Sequence, residues 1–140
     1  MTVPLRYLLD THILSDLTRA PQGRIAAAIT AAGEDTVCTS IVVAAELRYG
    51  GRKSGSRPLR ERIDLILSAI EVLPFEIPAE DHYARIRHDL TRRGALIGPN
   101  DLLIAAHALA LDLTLVTRNQ REFGRVGGLR VENWLDDAGR

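Results

Sequence analysis

Leu5-Arg6-Tyr7-Leu8-Leu9-Asp10 is a short apolar run closed by a carboxylate. A run of this length and character suits a parallel β-strand covered on both faces. The residues after it, His12 to Leu17, read as a brief helix, so Asp10 marks the carboxyl end of the strand. The same change of rhythm recurs outward along the chain. Pro21 introduces a helix from about Gln22 to Ala32, with Ile25, Ile29 and Ala32 on one apolar face and Gly33 as its stop. Val37 to Ser40 is the second strand, and helix Ile41 to Tyr49 follows it, with Gly50 and Gly51 as the expected end. Arg52 to Pro58 reads as a basic loop. Leu59, Ile63, Ile66, Leu67 and Ile70 then recur at helical spacing.

Glu71 to Phe75 is a third strand whose Pro74 makes its tail irregular or places it at an edge. Pro78 opens a helix to about Arg92, with Ala84, Ile86 or Arg87, and Leu90 towards the buried side. Gly94, Gly98 and Pro99 punctuate a loop before helix Asn100 to Leu111. Leu113 to Thr117 and Leu129 to Glu132 complete the strands. Strands alternating with helices imply an α/β fold, a mostly parallel sheet covered on both sides. Right-handed crossovers bring the strand ends to one side. All 140 residues are expected to form a single domain (1–140).

Lysine plus arginine balances aspartate plus glutamate at 18 each, with 46% hydrophobic and 26% charged residues. A passive, tight nucleic-acid binder is usually basic, because neutralising phosphate supplies much of its affinity. Neutrality therefore weakens a pure binding module, while an acidic catalytic centre with arginines on its rim remains compatible. Cys38 is the only cysteine, which excludes an internal disulfide and a thiolate cage and suits a buried structural thiol. No apolar stretch approaches the 18 or more residues that span a bilayer, so the expectation is a cytoplasmic protein with no membrane partner.

Three acids sit where the rhythm changes: Asp10 after the first strand, Glu46 inside the helix after the second, and Asp101 at the head of Leu102 to Leu111. In an open α/β sheet, strand ends and adjacent helix starts gather at one crevice. Carboxylates brought together there repel one another and suit a hard cation such as magnesium or manganese, which prefers oxygen ligands. Such an ion can activate water for attack on a phosphodiester. Each acid also has a structural reading. Asp10 and Asp101 can cap helices, and Glu46, set among Val42, Val43, Ala44, Ala45 and Leu47, can face solvent.

Asn119 can coordinate through its carbonyl oxygen, orient water or cap a turn, and Glu122 can add charge if its segment turns helically. Thr11, Ser40 and Thr117 are candidates to donate hydrogen bonds to carboxylate, water or phosphate. His12 can reach water, phosphate or a helix end. His107, among Ala105, Ala106 and Ala108, reads as a packing or hydrogen-bonding residue, and His82 and His88 as helix surface. Arg52, Lys53, Arg57, Arg85, Arg87, Arg92 and Arg93 are phosphate-contact candidates or solvated charges. Trp134 reads as an anchor for the C-terminal segment, and Asp136 and Asp137 as tail charges.

Leu8-Leu9-Asp10-Thr11-His12-Ile13-Leu14 and Glu46-Leu47-Arg48-Tyr49-Gly50 are followed by Ile97-Gly98-Pro99-Asn100-Asp101-Leu102-Leu103-Ile104-Ala105-Ala106-His107-Ala108, Thr114-Leu115-Val116-Thr117-Arg118-Asn119 and Glu122-Phe123. In this order, over nearly the entire chain, the blocks resemble a PIN-domain ribonuclease, the toxin component of a VapBC toxin–antitoxin pair. The resemblance implies a three-layer α/β/α sandwich, Mg2+ with Mn2+ as a substitute, and endonucleolytic cleavage of RNA. It places Asp10, Glu46 and Asp101 in the core acidic roles and Asn119 at a late position that is often aspartate. It also implies a homodimer and a cognate VapB-like antitoxin whose tail blocks the acidic groove. His12 departs from the usual asparagine, and Asn119 leaves three strong ligands unless Glu122 compensates. A regulatory PIN module with little catalysis and a metal-dependent phosphatase of small esters are the alternatives. A P-loop protein is disfavoured because the Gly-Lys-Ser/Thr signature is absent.

Overall fold

A computed structural model describes residues 3–135. Asp136 and Asp137 lie outside the described residues. The elements run β1 (Tyr7–Leu9), α1 (Thr11–Arg19), α2 (Arg24–Ala32), a 3-10 turn (Glu34–Thr36), β2 (Val37–Ser40), α3 (Ile41–Ser54), α4 (Arg57–Ala69), β3 (Glu71–Leu73), α5 (Ala79–Arg92), α6 (Pro99–Ala110), β4 (Thr114–Val116), α7 (Gln120–Phe123) and β5 (Val131–Glu132). The strands form one sheet in the order β3-β2-β1-β4-β5. Every pairing is parallel, with Leu8 opposite both Cys38 and Leu115. Helices α1 to α4 pack among themselves, and α5 packs on α6, giving the α/β/α sandwich expected from the alternation.

The inner strands are apolar because each is covered on both sides: Leu8, Leu9, Cys38 and Leu115 are fully buried. Burial pushes the Cys38 thiol up to about 12, so it is an inert structural group, as its strand position suggested. Pro74 follows the last residue of β3, which is an edge strand, and so interrupts no ladder on an inner strand. At the other edge, Trp134 meets the Tyr7 ring edge-on at 5.1 Å and donates from Nε1 to Glu132 Oε1 at 3.0 Å. That is the anchoring role read from sequence.

Three expectations need correction. Gly50 and Gly51 do not end the third helix, and Arg52 to Pro58 is not a loop. Helix α3 continues to Ser54 and stops at Gly55, whose φ of +69° is the left-handed cap that favours glycine. A Cβ at Gly51 would lie 3.0 Å from Ile63 Cδ1 and 3.3 Å from Arg60 Cγ, so this glycine lets α3 and α4 approach closely. Ala84 is exposed, whereas Ile86 and Leu90 face the core and Arg87 faces out. The repeat on α5 is carried by the larger apolar side chains, which bury more area than an alanine.

The strand order fixes where the chain can build a site. From β1 the sheet grows one way through β2 and β3 and the other way through β4 and β5. The crevice beyond the carboxyl ends of β1 and β4 is the topological switch point, where open α/β sheets bind ligands. A cavity of about 770 Å³ lies instead at the opposite, strand-start end, lined by Leu5, Leu17, Ile29, Ile66 and Ile70 with Glu34, Asp35 and Glu71 at its margin. No helix among the described residues is long and apolar enough to cross a membrane.

Candidate active site

Asp10 follows β1 at the switch point and is 3% exposed. It caps α1: Oδ1 accepts from the Thr11 amide at 2.8 Å. Oδ2 accepts from the Thr117 hydroxyl at 2.7 Å, across the gap between β1 and β4. Burial raises the Asp10 carboxyl above its ordinary range. The two hydrogen bonds pull it down again, Glu46 adds a further upward push, and His12 a downward one. The structure thus shows the capping role, which does not exclude a functional one.

Glu46 is half-buried on α3. Its Oε1 accepts from the Thr11 hydroxyl and its Oε2 from Asn100 Nδ2 at 3.2 Å. Asp101 lies in the first turn of α6, behind Pro99 at the first helical position. A Cβ at Gly98 would stand 3.3 Å from Asp101 Oδ2, so the bare glycine backbone leaves that carboxylate its room. The Asp101 carboxyl is pushed up to about 6, first by burial and then by the charges of Asp10, Glu46 and Glu122. Four acids from four segments therefore act on one small volume.

Thr117 also organises the next turn, because its Oγ accepts from the Asn119 amide at 3.0 Å. Asn119 precedes α7 without making a side-chain cap, and α7 carries Glu122 round to the acidic group. Ser40 does not join the carboxylates. It caps α3 by accepting from the Val42 amide at 3.0 Å, and its hydroxyl lies 2.8 Å from His107 Nδ1. His12 is exposed at the start of α1. Among the other histidines, His107 is buried, His82 half-buried and His88 exposed.

The reading of the sequence did not single out Asn100, whose side chain the structure bonds to Glu46. Its signal was an amide next to a carboxylate at the head of an apolar helix. Several basic candidates are paired locally: Arg57 with Glu61, Arg85 with Asp81 and Arg93 with Asp89. Arg118 and Arg121, which flank Asn119, are exposed and make no hydrogen bond or ion pair among the described residues.

Among the described residues, no three acids, histidines or cysteines are drawn close enough to form a ready-made metal cage. The oxygen-only donor set and the mutual charge pressure on Asp101 still fit a divalent ion. Magnesium keeps several of its waters and is held by one or two carboxylates rather than by a full protein cage.

Residues 7–129 match the PIN domain. This chain belongs to the PIN-domain family. Within that family it is 38% identical over 130 residues to Ribonuclease VapC2 of Rickettsia felis, covering 91% of this chain and 97% of the relative. It is also 38% identical over 132 residues to the tRNA(fMet)-specific endonuclease VapC of Shigella flexneri, covering 93% and 98%. The fold superposes with a TM-score of 0.84 and 34% identity on a chain of VapBC2 from Rickettsia felis bound to a DNA fragment from their promoter, covering 93% of this chain and 99% of that one. The PIN domain described here is therefore a VapC-type ribonuclease.

Proposed function

We propose that residues 1–140 act as one domain, a toxin endoribonuclease that hydrolyses RNA phosphodiesters with Mg2+ or Mn2+ and is restrained by a VapB-like antitoxin. The supporting observation is that burial, and then the charges of Asp10, Glu46 and Glu122, push the Asp101 carboxyl up to about 6. Acids that press on one another's charge in a partly buried crevice would be stabilised by a cation. Asp10, Glu46 and Asp101 would hold the divalent ion, which when bound would supply an acidified water and offset charge on the phosphate.

The protein's own groups do the positioning. Thr11 and Thr117 fix both Asp10 oxygens, and Thr11 and Asn100 fix those of Glu46. Asn119 orients water or the scissile phosphate through its amide, with Glu122 contributing the charge that an aspartate there would carry. Arg118 and Arg121 hold flanking phosphates, a placement favoured by their exposure beside Asn119. RNA chemistry of this kind and an antitoxin partner both accord with the VapC and VapBC names of the relatives. Exposed Ile41 and Tyr49 on α3 and Leu65 on α4 are apolar side chains that a second copy would cover in a homodimer. A cytoplasmic setting follows from that substrate and partner.

The test is cleavage of mixed cellular RNA, tRNA included, by purified antitoxin-free protein, with either ion, with chelator, and with Asp10→Ala and Asp101→Ala. tRNA comes first because the Shigella relative is named for it. Discrete ion-dependent cuts lost in both variants are the expected result. Turnover of a small phosphate ester with RNA left intact would make it a phosphatase. Folded, ion-loaded protein that cuts neither would be a regulatory module.

A further inference from the structure

The chemistry above employs the head of α6 but leaves His107 without a role. It is 1% exposed, and its partner Ser40 is fully buried. Ser40 Oγ accepts from the Val42 amide at 3.0 Å and shares a hydrogen bond with His107 Nδ1 at 2.8 Å. Nε2 is buried with no partner of hydrogen-bond geometry among the described residues. Burial pushes the ring's pKa below its ordinary value, against smaller upward pulls from the Pro74 carbonyl and Glu76. A buried polar group left half-satisfied is retained at some loss of stability. Leucine would fill the same space without that loss.

Helices α3 and α6 touch through a second polar contact, Asn100 Nδ2 to Glu46 Oε2 at 3.2 Å. The rise from Ser40 to Glu46 along α3 is about 9 Å, and from Asn100 to His107 along α6 about 10 Å, at about 1.5 Å per residue. The two contacts are thus the rungs of a ladder with nearly matched spacing, the helices running in opposite senses between them. Sliding one helix by a single residue breaks both. The rung at the crevice is exposed and involves a long glutamate side chain, whereas the Ser40–His107 rung is short and dry.

Resting on the ribonuclease reading, we propose that His107 is a positioning residue: its bond to Ser40 locks α6 in register on α3, so that Glu46 and Asp101 face the same divalent ion. Repulsion between those carboxylates drives the two helices apart when no ion is bound, and the buried rung opposes it.

The test compares wild-type protein with His107→Leu, His107→Asn and Ser40→Gly, by calorimetric titration with Mn2+ alongside thermal melts. Leucine keeps the bulk and removes the bond; asparagine can present an amide where Nδ1 stood. Glycine at the helix cap removes the hydroxyl with little loss of capping. His107→Leu and Ser40→Gly are expected to weaken Mn2+ binding about fivefold, the scale of one net hydrogen bond. His107→Asn should restore it to within about twofold, and the double variant should be no weaker than either single one. Unchanged Mn2+ affinity in folded Leu and Gly variants, whatever their melting temperatures, would reduce His107 to core packing and overturn the proposal. Should His107→Leu fail to fold, Ser40→Gly decides the matter alone. Wild-type protein with no Mn2+ binding that Asp10→Ala abolishes would sink the ribonuclease reading, and this inference with it. Binding by wild type and the rung variants alike sinks only the inference.

Discussion

At the scale of single residues, Asp101 concentrates the conflict in the site. Its carboxyl lies at about 6 in the fold against an ordinary 3.8, so the folded protein binds the proton more tightly than the unfolded chain does. The stability this contributes is complete below about pH 4 and is lost as pH rises through about 6. Metal-free Asp101→Asn protein is therefore expected to melt a few degrees above wild type at pH 7.5 and close to it at pH 4.5, while losing RNA cleavage. Equal melting temperatures at pH 7.5 would show that the acids do not press on one another. Thr117 tests the opposite kind of interaction. Its hydroxyl is a donor to a buried carboxylate at 2.7 Å, a bond of the charged class. Thr117→Val should lower unfolding free energy by about 1.5–3 kcal/mol in urea titrations at pH 7.5, and less at a pH where Asp10 is protonated.

Among the elements, α3 shows how a residue type misleads when its neighbours are unknown. Paired glycines read as a stop because each costs about 1 kcal/mol in a helix relative to alanine. The two are not equivalent in the structure. Nothing stands within 4 Å of a Cβ added at Gly50, whereas one at Gly51 meets α4. Gly50→Ala is expected to stabilise the protein by about 0.5–1 kcal/mol. Gly51→Val should destabilise it by about 1–3 kcal/mol through overpacking against Ile63 and Arg60. Urea titration of both variants checks the pair, and a stable Gly51→Val would mean that the α3–α4 contact is soft. The ion pairs on the outer helix faces, such as Arg57–Glu61 and Arg85–Asp81, are exposed and contribute at most a few tenths of a kcal/mol each.

For the whole molecule, the order β3-β2-β1-β4-β5 sets β1 at the centre and opens the crevice beside it. Leu8 on that strand is fully buried, and Leu8→Ala should cost about 2–5 kcal/mol. The acids load the crevice with negative charge that an ion relieves, so ion binding should appear as global stability. At an ion concentration about 100 times its dissociation constant, the gain is about 2.7 kcal/mol. Wild-type protein at pH 7.5 is accordingly expected to melt several degrees higher with Mg2+ or Mn2+ than with chelator, and an Asp10→Ala, Asp101→Ala double variant should not respond. An equal rise in both would assign the effect to ionic strength.

The amino-acid sequence by itself determined the five strands, a mostly parallel sheet and the segments that carry Asp10, Glu46, Asp101 and Asn119. Period and turn chemistry are local properties, and a parallel sheet with right-handed crossovers leaves few arrangements open. The blocks around those residues were specific enough to place the family. The tertiary structure alone decided which polar groups are shared. Thr117 reaches Asp10 across the switch point, Asn100 and Thr11 hold Glu46, and Ser40 turns from the acids to His107. Hydrogen bonds between residues distant in sequence depend on angstrom-scale distances between elements, and hydrophobic periodicity carries no record of those distances.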